Sequence, residues 1–417
     1  MTFIGLLDCN NFFVSCERLF RPDLRDVPTM VLSSNDGCVV ARSQEIKDMG
    51  IPMGIPFFKI KDIIKDKRTA VFSSNFPHYR EVSRRVFAVM RQEIDTVEQY
   101  SVDEAFFTLS AVSIEEAQEK VVRIRNAIQT KVGMPVSIGL ASTKTLAKLA
   151  NSKAKKGDGI YLLDPTNMSE INDIPLGEVW GIGGGRAREM KGHGLVTIKD
   201  LINADTERVQ KLFGIAGKRL QQELSGASVE RLKNRLDLQK SIMSTRSFAS
   251  STDDLLVLED AVAYHVRHAL EDLREMGAKA THIRVMIRPS RHGDYMLRGG
   301  SAEAILDVPS DDTILYIKEA IKLTKQLYEP KVPYKKAGVI ISGIVATAGT
   351  QQPLFVDQEL EERQGLMEVI DAVNAKLGRE TLRAGDRKLR SKWQTKKELV
   401  SPAYTTRWSD IATVAAK

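Results

Sequence analysis

The sequence predicts an α+β protein built from several domains. Two segments each have the predicted order strand, helix, strand, strand, helix, strand: one starts at the amino terminus and the other covers 241–347. Residues 174–235, which lie between them, read as short helical pieces separated by glycines. A chain of 417 residues is long enough for roughly three or four domains of about 100 residues each. A single compact domain is therefore not expected.

The first αβ segment begins with an apolar strand at 3–9 and a helix that runs through about Leu19. An insertion at roughly 24–76 is short and rich in turns, so we expect it to form a small lobe on the sheet. The remaining predicted elements are a helix at 78–94, a hairpin at 97–109, a helix at 114–131, a strand at 135–141 and a helix from 144. This is a βαββαβ order with an insertion after its first unit.

The second αβ segment predicts a compact four-stranded unit. Its predicted elements are a strand at 242–249, a helix at 257–276, strands at 280–288 and 294–306, a helix at 311–328 and a strand at 336–346. Along the third of these, apolar residues alternate with Arg284 and Arg288, which predicts one core face and one basic face. An exposed strand with two arginines is common, so DNA contact and simple exposure are equally good interpretations. His265 and His268 have no further Cys or His to complete a metal site, so we expect them on a solvated helix face.

Composition excludes a membrane protein and favours a reducing compartment. Hydrophobic residues make up 42% of the chain and charged residues 28%, and no apolar run approaches the roughly 20 residues of a membrane helix. The first residues lack the basic region of a signal peptide, and Cys9, Cys16 and Cys38 form no CxxC pair. We therefore expect a cytoplasmic protein. The formal charge of +7 suits a polyanionic partner, although a modest excess of this kind is common.

Three acidic residues are the first candidates for catalysis. Asp8 ends the first apolar strand, and Asp103 and Glu104 lie in the hairpin. In the predicted order these strands are neighbours, which would bring the carboxylates together at one edge of the sheet. Two hard cations prefer such an all-oxygen site, and phosphoryl transfer depends on it. The alternative is that each acid simply ends a strand and faces solvent.

Three motifs carry a family resemblance, and they occur in the family's order. They are Leu7-Asp-Cys-Asn-Asn-Phe-Phe-Val-Ser-Cys-Glu17, Asn35-Asp-Gly-Cys-Val-Val-Ala-Arg42 and Ser101-Val-Asp-Glu-Ala105. The chain resembles the Y-family DNA polymerases over nearly its whole length, and within them the UmuC branch. The resemblance implies a right-hand polymerase with a palm (1–23 and 77–170), small fingers (24–76), a helix-hairpin-helix thumb (171–235), a little finger (241–347) and a regulatory tail (348–417).

The same resemblance implies the metal and nucleotide ligands. Asp8 and Asp103 would bridge two Mg²⁺ ions, Glu104 would complete the catalytic one, and the Cys9 carbonyl would touch the other. Phe13, beside Phe12, matches the aromatic ring that excludes a ribose 2′-hydroxyl, where the UmuC branch usually has Tyr. Lys47 and Lys155 match triphosphate contacts. Without the family, the five lysines from 144 to 156 are equally well read as a solvated face or a phosphate contact.

Other segments imply contacts with DNA and protein partners. The run Trp180-Gly-Ile-Gly-Gly-Gly-Arg186 fails the dinucleotide pattern GxGxxG but resembles the thumb hairpin, in which Gly181, Gly183, Gly185 and Arg186 would hold DNA phosphates. Phe213-Gly-Ile-Ala-Gly-Lys-Arg-Leu220 is a weaker second copy. The region around Arg246 resembles the start of the little finger. Gln351-Gln-Pro-Leu-Phe355 resembles a sliding-clamp peptide, with Gln351 setting register and Leu354 and Phe355 as anchors.

We therefore predict a template-directed, error-prone translesion DNA polymerase that acts on primer-template DNA and deoxyribonucleoside triphosphates. By the resemblance, its partners would be a UmuD′-like dimer, a RecA filament and the sliding clamp. Tyr404 and Trp408 would either anchor an accessory subunit or pack on the body. A nucleotidyl cyclase is an alternative, since a related palm can carry the same carboxylates, but it has no need of the thumb hairpins. A non-catalytic DNA-binding scaffold is the other alternative, and the three carboxylates disfavour it.

Overall fold

The computed structural model describes residues 1–65, 68–164, 167–230, 232, 238–290, 299–348, 358–378, 380–384 and 390–411. These residues form two compact units. The first contains a five-stranded sheet, a three-stranded sheet, a group of three helices and the segment from Leu399 onward. The second contains a four-stranded sheet and the rest of the described tail. Within the described ranges, no helix combines the length and the apolar character needed to cross a bilayer.

The strands and helices are numbered in chain order. The strands are β1 (Thr2–Cys9), β2 (Thr29–Leu32), β3 (Val39–Arg42), β4 (Ala70–Ser73), β5 (Val97–Gln99), β6 (Glu104–Ser110), β7 (Val136–Ala141), β8 (Ile160–Leu162), β9 (Ser241–Thr252), β10 (Ala278–Pro289), β11 (Gly300–Ser310) and β12 (Tyr334–Ala346). The helices are α1 (Phe12–Phe20), α2 (Gln44–Asp48), α3 (Lys61–Lys65), α4 (Phe76–Glu93), α5 (Ile114–Val132), α6 (Lys144–Ala154), α7 (Gly184–Gly192), α8 (Ile198–Asn203), α9 (Thr206–Leu224), α10 (Leu255–Glu275), α11 (Thr313–Leu327), α12 (Gln358–Leu377) and α13 (Arg390–Trp393).

The five-stranded sheet has the order β5-β6-β1-β7-β8, with β1 in the centre. Strand β1 is buried on both faces, because Leu7 packs in the core that includes α4 and α5, while Leu6 packs in the core that includes α6. This explains why β1 is a continuous apolar run rather than an alternating one. The predicted pairing of the first strand with the hairpin is confirmed, since β1 and β6 are antiparallel neighbours. Strand β8, parallel to β7, was not predicted.

The insertion and the helical segment complete the first unit. The insertion forms the three-stranded sheet, in the order β3-β2-β4, with its own small core of residues such as Met30, Leu32 and Ile46. The three helices of the glycine-punctuated segment are α7, α8 and α9. Helix α9 is broken at Gly214, which has φ +68°, a conformation that glycine adopts without a Cβ penalty. The break falls within the predicted second hairpin copy.

The second unit has the predicted order β-α-β-β-α-β, and its sheet order is β11-β10-β12-β9. Helices α10 and α11 supply apolar residues to the same core as the inner face of the sheet. Strand β10 alternates as predicted, with Ile283, Val285 and Ile287 buried and Arg284 and Arg288 exposed. Strand β11 begins at Gly300 and ends at Ser310, later than predicted at both ends, and 291–298 lie outside the described residues.

Trp393 of the tail and Asp260 of α10 are in contact in the interior of the second unit. Trp393 of α13 is 1% exposed, and its indole N–H donates to Asp260 Oδ2 at 2.7 Å. The prediction that His265 lies on a solvated face is wrong, because the side chain is buried between the sheet and the Trp393 ring. Ser244 lies 2.8 Å from its Nδ1. Burial lowers the pKa of His265 to about 3, so the imidazole stays neutral.

Candidate active site

Asp8 and Glu104 face each other at one end of the five-stranded sheet. They are direct partners in the antiparallel register of β1 and β6. Beyond them, the Cys9 N–H donates to the Asp103 carbonyl at 2.9 Å, which holds the third acid beside the same strand end. Asp8 is only 6% exposed. The structure therefore brings the three predicted acids to one edge of the sheet. Asp8 and Glu104 are paired in the strand register, whereas Asp103 is held through its backbone carbonyl.

Ser101 fixes the turn that carries Asp103. Its hydroxyl donates to Asp103 Oδ1 at 2.5 Å, and its oxygen accepts from the N–H groups of Asp103 and Glu104 at 3.2 and 3.1 Å. A serine that accepts from the backbone two and three residues later stabilises a tight turn. The local sequence Ser101-Val-Asp-Glu104 thus sets the backbone from which both acids project.

Helix α6 packs unusually close to the sheet and carries cations to the acids. A Cβ on Gly139 of β7 would lie 2.1 Å from the Asn151 nitrogen, so only glycine allows this approach. The Asn151 amide donates to the carbonyls of Leu6 and Ser137 at 3.1 and 2.9 Å. These contacts fix the helix across β1 and β7, next to the strand end that bears Asp8.

A different lysine neutralises each of two acids. Lys155 Nζ lies 2.7 Å from Asp8 Oδ2, and Lys148 Nζ lies 2.9 Å from Glu104 Oε2. Burial raises the pKa of Asp8 to about 7 against the opposing effect of Lys155, and a hydrogen bond with Glu104 adds to the rise. Burial also raises the pKa of Glu104, but Lys148 and Asp8 outweigh it, so the net pKa is lowered. Burial and the neighbouring Glu104 thus oppose ionisation of Asp8, whereas Lys148 favours ionisation of Glu104.

Aromatic rings surround Lys148. Its ammonium lies 4.6 Å from the ring centroid of Tyr100, 5.2 Å from that of Trp180 and 5.9 Å from that of Phe106. Cation–π attraction and exclusion of water both strengthen its ion pair with Glu104. Sequence reasoning missed this role, because Tyr100 and Trp180 are 80 positions apart in the chain.

Ion pairs with carboxylates engage most of the five lysines from 144 to 156. Lys144 is 4% exposed and pairs with Glu98 at 2.7 Å, and Lys153 pairs with Glu170 at 2.7 Å. Together with the pairs at Asp8 and Glu104, four of the five lysines bind carboxylates. The sequence alone did not predict these ion pairs.

The donor chemistry at the strand end fits hard divalent cations. The buried Asp8 and the partly buried Glu104 supply carboxylate oxygens side by side, and an ammonium group lies within hydrogen-bond distance of each. Burial raises the pKa of the Cys9 thiol, reinforced by the Asp8 and Asp103 charges, so sulfur stays protonated and leaves oxygen as the available ligand type. Within the part of the chain that the structure describes, no three Asp, Glu, His or Cys side chains form a ready-made metal cage.

The predicted nucleotide contacts lie in α1, α2 and the end of α6. Phe12 is 4% exposed and belongs to the core, whereas Phe13 is half-buried and stacks on Tyr79 with centroids 4.6 Å apart. Lys47 Nζ donates to Asn11 Oδ1 at 2.7 Å. Asn11 itself has φ +47°, a left-handed conformation that asparagine tolerates better than most residues.

Arg42 is a further cation that sequence reasoning did not single out. Burial lowers the pKa of Lys47, and the charges of Arg42 and Lys155 lower it further. The Arg42 guanidinium donates to the Ile51 carbonyl, which orients it. The available signal was its place as the last residue of the motif Asn35-Asp-Gly-Cys-Val-Val-Ala-Arg42. Three mutually repelling cations form a local positive field that suits a polyphosphate.

The residues predicted to hold DNA differ in their surroundings. Gly183 precedes the first residue of α7 as its N-cap, and Gly181 has φ +87°. Among the residues that the structure describes, no atom lies within 4 Å of a Cβ built at Gly181, Gly183 or Gly185. Arg186, in the first turn of α7, is exposed. The backbone here is therefore open to close approach by a ligand.

In the second unit, the predicted DNA contacts are partly engaged by protein groups. Arg284 pairs with Glu303 of β11 at 2.6 Å, while both side chains remain about half exposed. Arg246 lies over the Tyr264 ring at 5.4 Å from its centroid. Arg288 is exposed. Glu303 reduces the net positive charge of the face that the alternating pattern of β10 predicted to be basic.

Comparison with known proteins gives consistent matches along the chain. A model described as the impB/mucB/samB family matches 7–152, and the model of that family's C-terminal domain matches 239–354. The protein UmuC of Salmonella typhimurium (strain LT2) is 34% identical over 419 residues, covering 98% of this chain and 99% of that protein. SamB of Salmonella typhimurium is 32% identical over 417 residues, covering 98% of both.

The chain belongs to the impB/mucB/samB family. DNA polymerase IV 1 of Bacillus subtilis (strain 168) is also similar, at 30% identity over 392 residues and 91% of each chain. The predicted resemblance to the UmuC branch is confirmed.

Solved structures show that this family member has the fold of Y-family DNA polymerases. A Y-family DNA polymerase chimera of Dbh and Dpo4 aligns with a TM-score of 0.69 at 21% identity, covering 82% of this chain and 99% of that one. An insertion ternary complex of Dbh DNA polymerase aligns with a TM-score of 0.58 at 20% identity, with the same coverage. The predicted α+β right-hand fold class is confirmed.

The tail of this family member is only partly described. Gln351, Leu354 and Phe355, the predicted clamp peptide, lie outside the described residues. A model for a domain of unknown function matches 364–414. The sequence did not decide whether Tyr404 and Trp408 pack on the protein or remain available to a partner. Tyr404 stacks on Phe20 with centroids 4.7 Å apart, whereas Trp408 is 90% exposed.

Proposed function

We propose that this chain is a template-directed, error-prone translesion DNA polymerase that adds deoxyribonucleotides to a primer 3′-hydroxyl in SOS-type DNA damage tolerance. The observation that carries the proposal is the pairing of Asp8 with Glu104 across β1 and β6, with lysine ammonium groups on both carboxylates. Family membership and the Y-family polymerase fold support the same activity.

Two Mg²⁺ ions are the proposed cofactors. Asp8, Asp103, Glu104 and the Cys9 carbonyl would hold them, because these groups supply oxygen ligands at one strand end. When bound, such ions lower the pKa of the primer hydroxyl and offset charge on the transferring phosphate. The protein contributes by holding the carboxylates on a rigid sheet and by keeping compensating cations within reach.

The deoxyribonucleoside triphosphate would lie over α1. Lys47 and Lys155, with Arg42, would contact its phosphates, since their mutual repulsion is relieved by a polyanion. Lys155 can leave Asp8 for phosphate because its side chain is 43% exposed while that of Asp8 is 8% exposed. Phe13, supported by the buried Phe12 and by Tyr79, would pack against the sugar and exclude a ribose 2′-hydroxyl.

Primer-template DNA would be held through its phosphates rather than its bases. In the thumb, the open backbone at Gly181, Gly183 and Gly185 and the exposed Arg186 suit a phosphate contact at the start of α7. In the little finger, Arg246, Arg284 and Arg288 would add to this grip. Contacts of this kind carry no sequence information, as copying an arbitrary template requires.

The proposed setting is the bacterial cytoplasm, with a UmuD′-like dimer, a RecA filament and the sliding clamp as partners. The clamp would take the Gln351-Gln-Pro-Leu-Phe355 peptide, with Leu354 and Phe355 as anchors. The exposed Trp408 offers an aromatic anchor of the kind common in protein interfaces. These partners follow from the family resemblance.

Primer extension tests the proposal. The assay uses a primer-template with and without an abasic site, Mg²⁺ and deoxyribonucleoside triphosphates, in the presence and absence of the proposed partners. Extension past the abasic site is the expected result. Formation of a cyclic nucleotide without primer would instead indicate a nucleotidyl cyclase. DNA binding without extension under every condition would indicate a non-catalytic scaffold.

A further inference from the structure

The segment after Leu399 adds to the edge of the three-stranded sheet in the first unit. The Ser73 N–H donates to the Leu399 carbonyl at 2.9 Å, and the Leu399 N–H donates to Ser73 Oγ at 3.0 Å. Val400 forms a parallel bridge with Ser73, the last residue of β4. Farther on, Tyr404 stacks on Phe20 with an interplanar angle of 4°. The segment 399–404 is therefore bound to the body by both backbone and ring contacts.

Ser401 reaches into the interior from this segment. It is 6% exposed, and its hydroxyl donates to Glu17 Oε1 at 3.1 Å. The Asn75 amide donates to both the hydroxyl and the carbonyl of Ser401, at 3.0 and 3.2 Å. Asn75 also caps α4 through its side-chain oxygen. These bonds fix the position of the Ser401 hydroxyl relative to the start of α4.

Glu17 is the group on which this hydrogen-bond chain converges. It has no exposed surface, and Tyr79 donates to the same Oε1 at 2.7 Å. Its other oxygen, Oε2, has no hydrogen-bond partner among the described residues. A buried carboxylate with two donors on one oxygen depends strongly on each of them, because the loss of either leaves charge poorly satisfied.

Tyr79 connects this chain to the predicted sugar-excluding ring. Its ring stacks on Phe13 with centroids 4.6 Å apart and an interplanar angle of 18°. Phe76 packs edge-on against both rings, at 5.8 Å from Phe13 and 6.1 Å from Tyr79. A shift of the Tyr79 ring must therefore displace Phe13 or open a gap beneath it.

We propose that the segment 399–404 positions the sugar pocket: Ser401 holds Glu17, Glu17 holds Tyr79, and Tyr79 sets the height of the Phe13 ring. This proposal rests on the proposed polymerase function. Ser401, Glu17 and Tyr79 are positioning residues, since none of them is placed against the nucleotide. Selection of deoxyribose over ribose thus depends on a tail segment almost 390 positions away from Phe13 in the sequence.

The test measures single-nucleotide insertion with the full chain and its proposed partners, as the ratio of kcat/KM for a ribonucleotide to kcat/KM for the matching deoxyribonucleotide. Ser401→Ala and Tyr79→Phe should each raise this ratio about three- to fivefold, as expected for the loss of one buried hydrogen bond. The ratio for the double variant should be close to that of either single variant, because both substitutions act through Glu17. Ser401→Thr keeps a hydroxyl and should restore most of the parent ratio.

Ser409→Ala is the matched control, because the exposed Ser409 follows the segment 399–404 in the chain and its hydroxyl donates to its neighbour Asp410 instead of reaching Glu17. Tyr79→Phe keeps the stacked ring and lies outside the tail, so it tests the same hydrogen-bond chain even if Ser401→Ala disrupts the folding of the tail. A ratio unchanged in both Ser401→Ala and Tyr79→Phe, with deoxyribonucleotide insertion intact, would overturn this inference and leave the polymerase function standing. An equal rise in Ser409→Ala would also overturn it. A parent chain that extends no primer overturns the proposed function and this inference with it.

Discussion

Asp8 and Glu104 occupy directly opposed positions on β1 and β6, and each carboxyl has its own lysine, Lys155 and Lys148. Placing two like charges side by side at a largely buried strand end is unfavourable, and this cost is limited by the two ammonium groups and by the raised pKa of Asp8, which favours its neutral form. The fold thus keeps a pair of acids that is costly to bury, which is the expected signature of a functional site rather than of a stabilising contact.

Replacing Asp103 tests the assignment of the acids. Asp103→Ala should lower primer extension by about a hundredfold or more, because the lost charge belongs to metal binding and transition-state stabilisation. Binding of primer-template, measured by fluorescence anisotropy, should be unchanged, since the proposed DNA contacts lie elsewhere. The exposed Glu119 on α5 provides a matched control as Glu119→Gln. Extension by Asp103→Ala at more than about a tenth of the parent rate would contradict the assignment.

The raised pKa of Asp8 predicts that an active-site substitution stabilises the fold. Burial raises this pKa from 3.8 to about 7, so between those values the native state holds a proton that the unfolded state releases. Stability from this group is therefore present below about pH 4 and is lost as pH rises through 7. At pH 8 the free energy of unfolding of Asp8→Asn should exceed that of the parent by about 1–4 kcal/mol. At pH 4 the two free energies of unfolding should differ little.

Urea denaturation in the presence of EDTA measures this difference. Lys155, left without its partner in Asp8→Asn, is exposed enough to be hydrated, so it should not cancel the gain. Added Mg²⁺ should raise the stability of the parent more than that of the variant, because only the parent keeps the ligand. An Asn variant less stable than the parent at pH 8 would show that the ion pair with Lys155 dominates.

Phe13 is predicted to exclude a ribose 2′-hydroxyl. Phe13→Ala removes the ring that stacks on Tyr79 and leaves Asp8, Asp103 and Glu104 unchanged. Ribonucleotide insertion should rise about tenfold to a hundredfold relative to deoxyribonucleotide insertion, since overpacking of this kind costs roughly 1–3 kcal/mol. Single-nucleotide insertion kinetics give the ratio directly. An unchanged ratio would mean that Phe13 serves only in packing.

The clamp peptide is predicted to act in recruitment and not in chemistry. Leu354→Ala combined with Phe355→Ala should leave extension of short primers intact and abolish stimulation by the sliding clamp. Each anchor is expected to contribute about 1–3 kcal/mol to binding. A pull-down with purified clamp measures the loss directly. Gln358→Ala, a nearby polar substitution outside the peptide, serves as the control. Clamp binding that survives the double substitution would refute the assignment.

Local patterns in the sequence determined the order of elements and the place of the acids. An apolar run ending in Asp8 predicts a buried strand with a charged end, and alternation along 281–288 predicts the two faces of β10, as found. Motif spacing carried the family resemblance and, with it, the right-hand fold class. These features could be predicted because each depends on neighbours a few positions away, where backbone geometry alone sets which side chains share a face.

Only the tertiary structure decided which charges meet and which polar groups are buried. The lysines of α6 and its C-cap Lys155 look alike in sequence, yet Lys148 lies among aromatic rings beside Glu104 while Lys155 pairs with Asp8. His265 is buried against Trp393, contrary to expectation, and Ser401 bonds to Glu17 across 384 positions. Coulomb energy, desolvation and hydrogen bonding depend on distances through space and on exclusion of water. The folded chain sets both the distances and the exclusion of water, because it brings together segments that are far apart in the sequence. Nothing in that separation indicates which segments will be in contact.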